Sequence, residues 1–214
     1  MTTPRLQFDG WIAGIGTASG VRIVIGHWPS SPFGPVSDVM IESPGGHRLL
    51  LASTTRLATF VATTYRFDQV RVAPVGVVRD GVSWTVQAES LALRLTVGRR
   101  PPLGWALRAV PPGLAGRPGW VGLLDVPART LLPGVRTRGS AGNGRREWYG
   151  ARDLCRITAA TTQCAGRDLG GLADVTPPVR FGFGSVPRVP AVVRVTTTIE
   201  VSPRDRLLGT YSGG

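Results

Sequence analysis

QVRVAPVGVVRDGVSWTVQAESLALRLTV, residues 69–97 of the chain, alternates hydrophobic and polar side chains and decides the fold class. Gln69–Arg79 and Val82–Glu89 flank an Asp80-Gly81 pair, which predicts a β-hairpin with a two-residue turn. In the second strand the inward-facing residues are predicted to be Val82, Trp84, Val86 and Ala88. The spacing of two then continues through Leu91, Leu93, Leu95 and Val97, so a third antiparallel strand is expected.

Working outward from this meander, the pattern predicts further strands and few helices. Upstream strands are predicted at Val21–Trp28, Val36–Glu42 and Arg48–Ala52, and downstream strands at residues 157–163, 179–184 and 192–201. One clear helix is predicted at about 53–65, because its apolar residues recur at helical spacing and Ser53 or Thr54 can cap it. Short helical insertions are predicted at about 103–132.

These elements predict a β-rich α+β fold, built as an antiparallel barrel or a strongly curved sheet. Two similar stretches, Gly14–Thr17 and Gly182–Ser185, each precede a strand, which predicts bends there and neighbouring first and last strands. In outline the pattern resembles a calycin-type ligand-binding barrel, and this resemblance implies a ligand held inside. Residues 1–205 are predicted to form a single domain, with a frayed tail at 206–214.

The basic residues are all arginine: there are 25 of them and no lysine. Without lysine the chain cannot form a Schiff base, so pyridoxal-phosphate enzymes and imine-forming decarboxylases are excluded, as is a P-loop. The formal net charge of +12 concentrates anions near the surface. Codon bias of a high-GC genome, with solvated surface arginines, explains the same composition.

Cysteine usage predicts reduced thiols and a cytoplasmic protein. Only Cys155 and Cys164 occur, where a secreted disulfide scaffold would carry more, although the two could still face each other across a hairpin. The N-terminus has no signal-peptide pattern, and no apolar stretch is long enough for a membrane span. Together with His27 and His47 the cysteines lack zinc-site spacing, so neither a metal nor a cofactor is expected.

The first candidate site is the stretch Val135–Tyr149, which is predicted to be a glycine- and arginine-rich loop. Glycines allow backbone N–H groups to converge on an anion, arginines bind phosphate or carboxylate, and aromatic rings contact an apolar body. A solvated surface loop fits the same composition. The predicted ligand-binding residues of this stretch are Arg136, Arg138, Ser140, Asn143, Arg145, Arg146, Trp148 and Tyr149.

The second candidate site lies at residues 26–34, where Trp28 is predicted to contact the ligand. His27 is a candidate acid–base residue, although a hydrogen-bonded core histidine is the favoured alternative on the apolar face of a strand. Glu147 is the second acid–base candidate. The carboxylates in these regions, Asp38, Glu42, Glu147 and Asp153, form no recognisable catalytic spacing.

The main functional hypothesis is a small-molecule site in the barrel. It would bind an amphipathic anion, with the apolar body inside and the charge on the loop arginines, and could be a metal-independent enzyme acting on that ligand. An arginine-rich nucleic-acid-binding protein is one alternative, since arginine interleaved with tryptophan can stack on bases. A non-catalytic subunit that docks through the proline-rich region 99–133 is another.

Overall fold

The computed structural model describes residues 5–111, 138–140, 146–182 and 186–200. Within these ranges the chain forms thirteen strands and two helices. In chain order they are β1 (Arg5–Thr17), β2 (Arg22–Ser30), β3 (Val36–Glu42), β4 (Arg48–Ala52), α1 (Thr55–Thr64), β5 (Gln69–Val72), β6 (Val75–Asp80), β7 (Ser83–Ala88), β8 (Leu91–Val97), α2 (Pro102–Ala109), β9 (Arg138–Ser140), β10 (Arg146–Cys164), β11 (Arg167–Asp168), β12 (Leu172–Ala173) and β13 (Ala191–Glu200).

All thirteen strands belong to one curled sheet. Its main path runs β5-β4-β3-β2-β1-β13-β10-β8-β7-β6, and every neighbouring pair is antiparallel except β4 and β5. The arm formed by β6, β7 and β8 folds back over β1–β4, so that residues from both arms pack in one hydrophobic cluster. The predicted β-rich fold with a strongly curved sheet is therefore confirmed.

Strand alternation gives the β1–β4 arm two buried faces. The inner face packs against the β7–β8 arm through residues such as Ile15, Ile25, Trp84 and Leu93, which we call the inner core. The outer face packs against α1 and against Val175, Phe181 and Val186, and these residues form the outer core. Burial on both faces explains the runs of consecutive apolar residues at 23–25 in β2 and 39–41 in β3.

Strand β10 turns the corner between the two arms. Its first half pairs with β13 and its second half with β8, and bulges interrupt the register between Ala151 and Asp153 and between Ile157 and Ala159. A bulge bends its strand and increases the local twist. Both cysteines lie on this strand, and nine residues of extended chain separate them by about 30 Å, so they cannot pair with each other.

Helix α1 confirms the helix predicted at 53–65. The Thr54 side chain accepts a hydrogen bond from the Leu57 backbone N–H, which satisfies one of the free donors at the helix start. The apolar stripe, including Leu57, Phe60 and Val61, is buried against the outer face of the sheet. Helix α2 begins the insertions predicted at 103–132, and residues 112–132 lie outside the described ranges.

The hairpin around residue 81 is present, but its register differs from the prediction. Asp80 pairs with Ser83, so the two-residue turn is Gly81-Val82 rather than Asp80-Gly81. Val82 is therefore 64% exposed, and the prediction that it faces inward is wrong. The run predicted as one strand from residue 69 breaks at Ala73-Pro74, and its first part pairs in parallel with β4. A proline cannot donate a ladder hydrogen bond, which explains the break.

Strand β1 was not predicted, because glycines at residues 10, 14 and 16 indicate a bend rather than a strand. It lies between β2 and β13, so one strand separates the two strands predicted to be neighbours. A side chain at Gly14 would collide with Val186, which explains glycine there by close packing. The strand predicted at 179–184 is also wrong for residues 179–182, which are irregular, and residues 183–185 lie outside the described ranges.

Candidate functional site

A cavity of about 60 Å³ lies between the outer face of the sheet and helix α1. It is within the outer core, not inside the curl of the sheet, where close-packed aliphatic side chains fill the inner core. The lining is mostly apolar and comes from β1, β2, β3, α1, β13 and the segment 179–181. Its apolar members include Phe8, Ile12, Val24, Met40, Leu57, Phe60, Val61, Val179, Phe181 and Ile199.

Asp38 is the charged residue in this lining, and it is only 3% exposed. Burial raises the pKa of its carboxyl from 3.8 to about 7, while a hydrogen bond from Trp28 acts in the opposite direction. Trp28 Nε1 donates to Asp38 Oδ1 at 3.1 Å, and Oδ2 makes no hydrogen bond within the described ranges. Asp38 is therefore a carboxyl that takes up and releases a proton near neutral pH.

Local packing brings Trp28 to Asp38. The two residues lie on neighbouring strands on the same face of the sheet, and the position directly opposite Asp38 is Gly26. Any side chain at Gly26 would collide with both the carboxylate and the indole nitrogen. Glycine at this position is what allows the hydrogen bond to form.

A second polar cluster joins Tyr65, Glu147 and Tyr149. The Tyr65 hydroxyl lies 3.1 and 3.0 Å from the two carboxylate oxygens of Glu147 and 2.6 Å from the Tyr149 hydroxyl. The Tyr149 hydroxyl also donates to Glu147 at 3.1 Å. Burial and the nearby Glu147 carboxylate raise the pKa of both phenols well above the usual value, so both keep their protons at neutral pH.

Thr197 completes the polar part of the cavity lining. It lies on β13 between Phe8 and Tyr149 of the flanking strands and is buried. Its Oγ1 makes no hydrogen bond within the described ranges. A buried hydroxyl without a partner is costly, and a ligand or water in the cavity would supply one.

Tyr65→Phe is expected to lower the free energy of unfolding by about 1–3 kcal/mol, because it removes a hydroxyl that bonds a buried carboxylate. Chemical denaturation of the purified variant measures the loss. In a Glu147→Gln background the same substitution should cost clearly less, since the carboxylate that it serves is gone. An equal cost in both backgrounds would show that the hydroxyl does not act through Glu147.

The structure brings some of the sequence-predicted site residues together. Trp28 and Tyr149 line the cavity, and Glu147, which is wholly buried, bonds the two tyrosines next to it. Residues 138–140 and 146–149 form strands, so the predicted loop is wrong there. Its composition is misleading, because glycine and arginine are also present in β10. The backbone of Arg138 and Ser140 pairs with β10, and Arg136, Asn143 and Arg145 lie outside the described ranges.

Other predicted site residues lie away from the cavity. Arg146 is exposed, and Trp148 has the Arg5 guanidinium over its ring at 5.7 Å. His27 lies on the inner face of the sheet, opposite to the cavity, and its Nδ1 is 3.0 Å from Ser37 Oγ. It is half-buried between the rings of Trp11 and Trp84.

Sequence reasoning missed the roles of Asp38, Tyr65 and Thr197. Asp38 carried a usable signal, since a carboxylate at a central position of an apolar strand is expensive unless it has a function or a partner. Thr197 had no comparable signal, because threonine is common in strands. Among the described residues, no group of histidine, cysteine and carboxylate side chains is placed to hold a metal ion.

Comparison with known proteins gives a weak structural likeness. No family model matches the chain, and no curated protein is significantly similar in sequence. A crystal structure of acetoacetate decarboxylase from Legionella pneumophila aligns with a TM-score of 0.45 and 8% identity, over 92% of this chain and 84% of that one. A second acetoacetate decarboxylase structure aligns with a TM-score of 0.47 and 6% identity, over 93% and 88%.

Two further observations bear on the surface. In the described ranges no helix is long and apolar enough to cross a membrane. Many of the described arginines are paired with carboxylates on neighbouring elements, so the charge of these arginines is locally compensated. Such pairs include Arg5–Glu200, Arg48–Asp68, Arg71–Glu89, Arg100–Asp153, Arg152–Asp9 and Arg188–Asp174.

Proposed function

We propose that the cavity under α1 binds a small, mostly apolar and uncharged molecule, whose polar group hydrogen-bonds to Asp38 and Thr197. The observation that carries this proposal is the buried Asp38 carboxyl. It faces an apolar cavity and accepts a hydrogen bond from only one described side chain, that of Trp28. At about 10–15 Å³ for each water-sized position, a volume of about 60 Å³ takes roughly four to six non-hydrogen atoms. A small cyclic ketone or alcohol has this size and polarity.

The charge of the ligand follows from the cavity lining. The polar groups of the described lining are a carboxyl, two phenols, an indole N–H and a hydroxyl, with the Glu147 carboxylate next to them. An anionic head group would meet two acidic residues and no arginine there. The anionic ligand predicted from the sequence has its charge on the arginines at 136, 138, 145 and 146, whereas the contacts of Asp38 favour a neutral one.

An enzymatic form of this proposal assigns proton transfer to Asp38. A general acid or base works best when its pKa is near the working pH, and burial places the pKa of Asp38 at about 7. In its ionised form the Asp38 carboxylate would take a proton from the carbon next to the carbonyl. The C–H electron pair would move into an enolate, whose oxygen accepts a hydrogen bond from Thr197 Oγ1, and the protonated carboxyl would return a proton to the same carbon. His27 cannot take this role in the cavity, because it lies on the other face of the sheet.

Binding is tested with cyclopentanone as the probe, followed by ligand-observed NMR. The protonated carboxyl donates to the ketone, so we expect the Kd to rise by tenfold or more between pH 6 and pH 8.5. In Asp38→Asn the amide can donate at every pH, and the Kd should change little over this range. Strong pH dependence in Asp38→Asn, equal to that of the wild type, would contradict the role of Asp38.

A filled cavity provides the location control. Val61→Phe places a larger side chain in the lining and should abolish binding, whereas Val78→Phe, on an exposed position of β6, should not. Equal binding by both variants would place the probe elsewhere.

Exchange of the cyclopentanone α-protons with D2O tests the enzymatic form. If the protein does not accelerate this exchange over buffer at pH 7, the enzymatic form is excluded and only the binding proposal remains.

A further inference from the structure

A cluster of aromatic and cationic groups lies at one end of the inner face, on the opposite side of the sheet from the cavity. The Arg79 guanidinium carbon lies 3.6 Å from the ring centre of Trp11 and 4.8 Å from that of Trp84. The Arg194 guanidinium carbon lies 4.2 Å from the same Trp11 ring. His27 stacks on Trp11 with 5.9 Å between ring centres.

The positive charge of Arg79 has no acidic partner in this cluster. The carboxylate of the cluster, Asp9, bonds Arg194, Arg152 and the Thr196 hydroxyl. Arg79 makes no ion pair or side-chain hydrogen bond within the described ranges. The Arg79 residue is exposed overall, and partial burial of its guanidinium against the tryptophans lowers its pKa without neutralising its charge. Burial lowers the pKa of Arg194 as well.

His27 adds an oriented ring nitrogen near the Arg79 guanidinium. Its Nδ1 bonds Ser37 Oγ at 3.0 Å, which fixes the ring, and its Nε2 makes no hydrogen bond within the described ranges. Burial and the charge of Arg79 lower the pKa of His27. Stacking on tryptophan uses the flat face of Arg79 and leaves the N–H groups in its plane for an oxyanion.

We propose that Arg79 and His27 form a binding site for a phosphate group, as inorganic phosphate or a phosphate monoester. A phosphate offers oxygens for both the planar guanidinium and the imidazole and supplies the negative charge that Arg79 lacks. The tryptophans hold the guanidinium in place, which lowers the entropic cost of binding. The site is independent of the cavity, since the sheet separates them.

The test titrates inorganic phosphate and methyl phosphate into the full chain and follows Trp fluorescence and the His27 NMR signals. We expect saturable binding, a rise in the pKa of His27 on binding, and a Kd at least tenfold weaker in Arg79→Gln. Arg79→Lys keeps the charge without the planar fork and should bind with intermediate affinity. Arg94→Gln, which removes the same charge from an exposed position on β8, should change the Kd by less than twofold.

Two results would overturn the proposal. Equal weakening in Arg79→Gln and Arg94→Gln would mean that only the overall charge matters. Binding of single-stranded DNA that needs Arg79, without saturable binding of either phosphate compound, would mean an extended nucleic-acid surface instead. Methyl phosphate binding more tightly than inorganic phosphate would support the site and identify a monoester as its ligand.

Discussion

Asp38→Asn is expected to remove a large pH dependence from the stability of the protein. The pKa of Asp38 rises from 3.8 to about 7 on folding, so between these values the folded protein holds a proton that the unfolded chain releases. The stabilisation of the folded state by this proton is fully present below pH 3.8, is lost as the pH rises, and is gone above about pH 7. The loss amounts to about 1.4 kcal/mol per pH unit within this window.

The measurement is chemical denaturation of both proteins at several values from pH 4 to pH 8.5. The difference between wild type and Asp38→Asn isolates this residue, because the lowered pKa values of Asp68 and His27 affect both proteins equally. Asp38→Asn should gain relative to the wild type as the pH rises to 7 and then keep a constant difference. A difference that does not change with pH would mean that Asp38 ionises normally, and the cavity would lose its acid–base group.

Glu42→Ala is expected to cost about 3–5 kcal/mol of stability, which is the usual effect of leaving one member of a buried ion pair alone. Arg22 and Glu42 lie 2.8 Å apart, and both side chains are almost wholly buried. Glu42 also accepts hydrogen bonds from the Arg180 backbone N–H and side chain. It therefore fixes the segment that brings Val179 and Phe181 over the cavity.

A double variant separates the two roles of Glu42. Replacing both partners by methionine, as Arg22→Met with Glu42→Met, removes the uncompensated charge and should recover most of the lost stability. It should not recover cyclopentanone binding, because Arg180 has still lost its anchor. Thermal denaturation and the NMR titration measure the two effects. Recovery of both together would mean that the ion pair does not position the cavity wall.

Local periodicity explains which parts of the fold were predictable. Residues 91–97 alternate, residues 39–41 and 49–52 are consecutively apolar, and the bounds predicted for the strands that contain them agree with the structure. Strand β1 was missed because its glycines are required by close packing, Gly14 against Val186 and Gly16 against the Asp174 backbone, which no local pattern reveals. The start of β10 was missed because arginine and glycine favour a loop, although pairing with β13 buries Glu147 and Tyr149.

The cavity depends on contacts between distant parts of the chain. Asp38, Tyr149 and Thr197 come from three strands and Tyr65 from the end of α1, and sheet order and helix packing bring them together. The sequence supplied Trp28, Tyr149 and Glu147 as candidates, on the basis of aromatic and acidic residues near glycine-rich stretches. The sequence does not show on which face of the sheet these residues meet, because β1, which lies between β2 and β13, was not predicted.

The most direct test of the cavity as the ligand site is a crystal structure of the protein soaked with cyclopentanone at pH 6. We predict density for the probe between α1 and the outer face of the sheet, with the carbonyl oxygen within hydrogen-bond distance of the Asp38 carboxyl. An empty cavity at a probe concentration that saturates the NMR signal, or probe density only on another surface, would contradict the account.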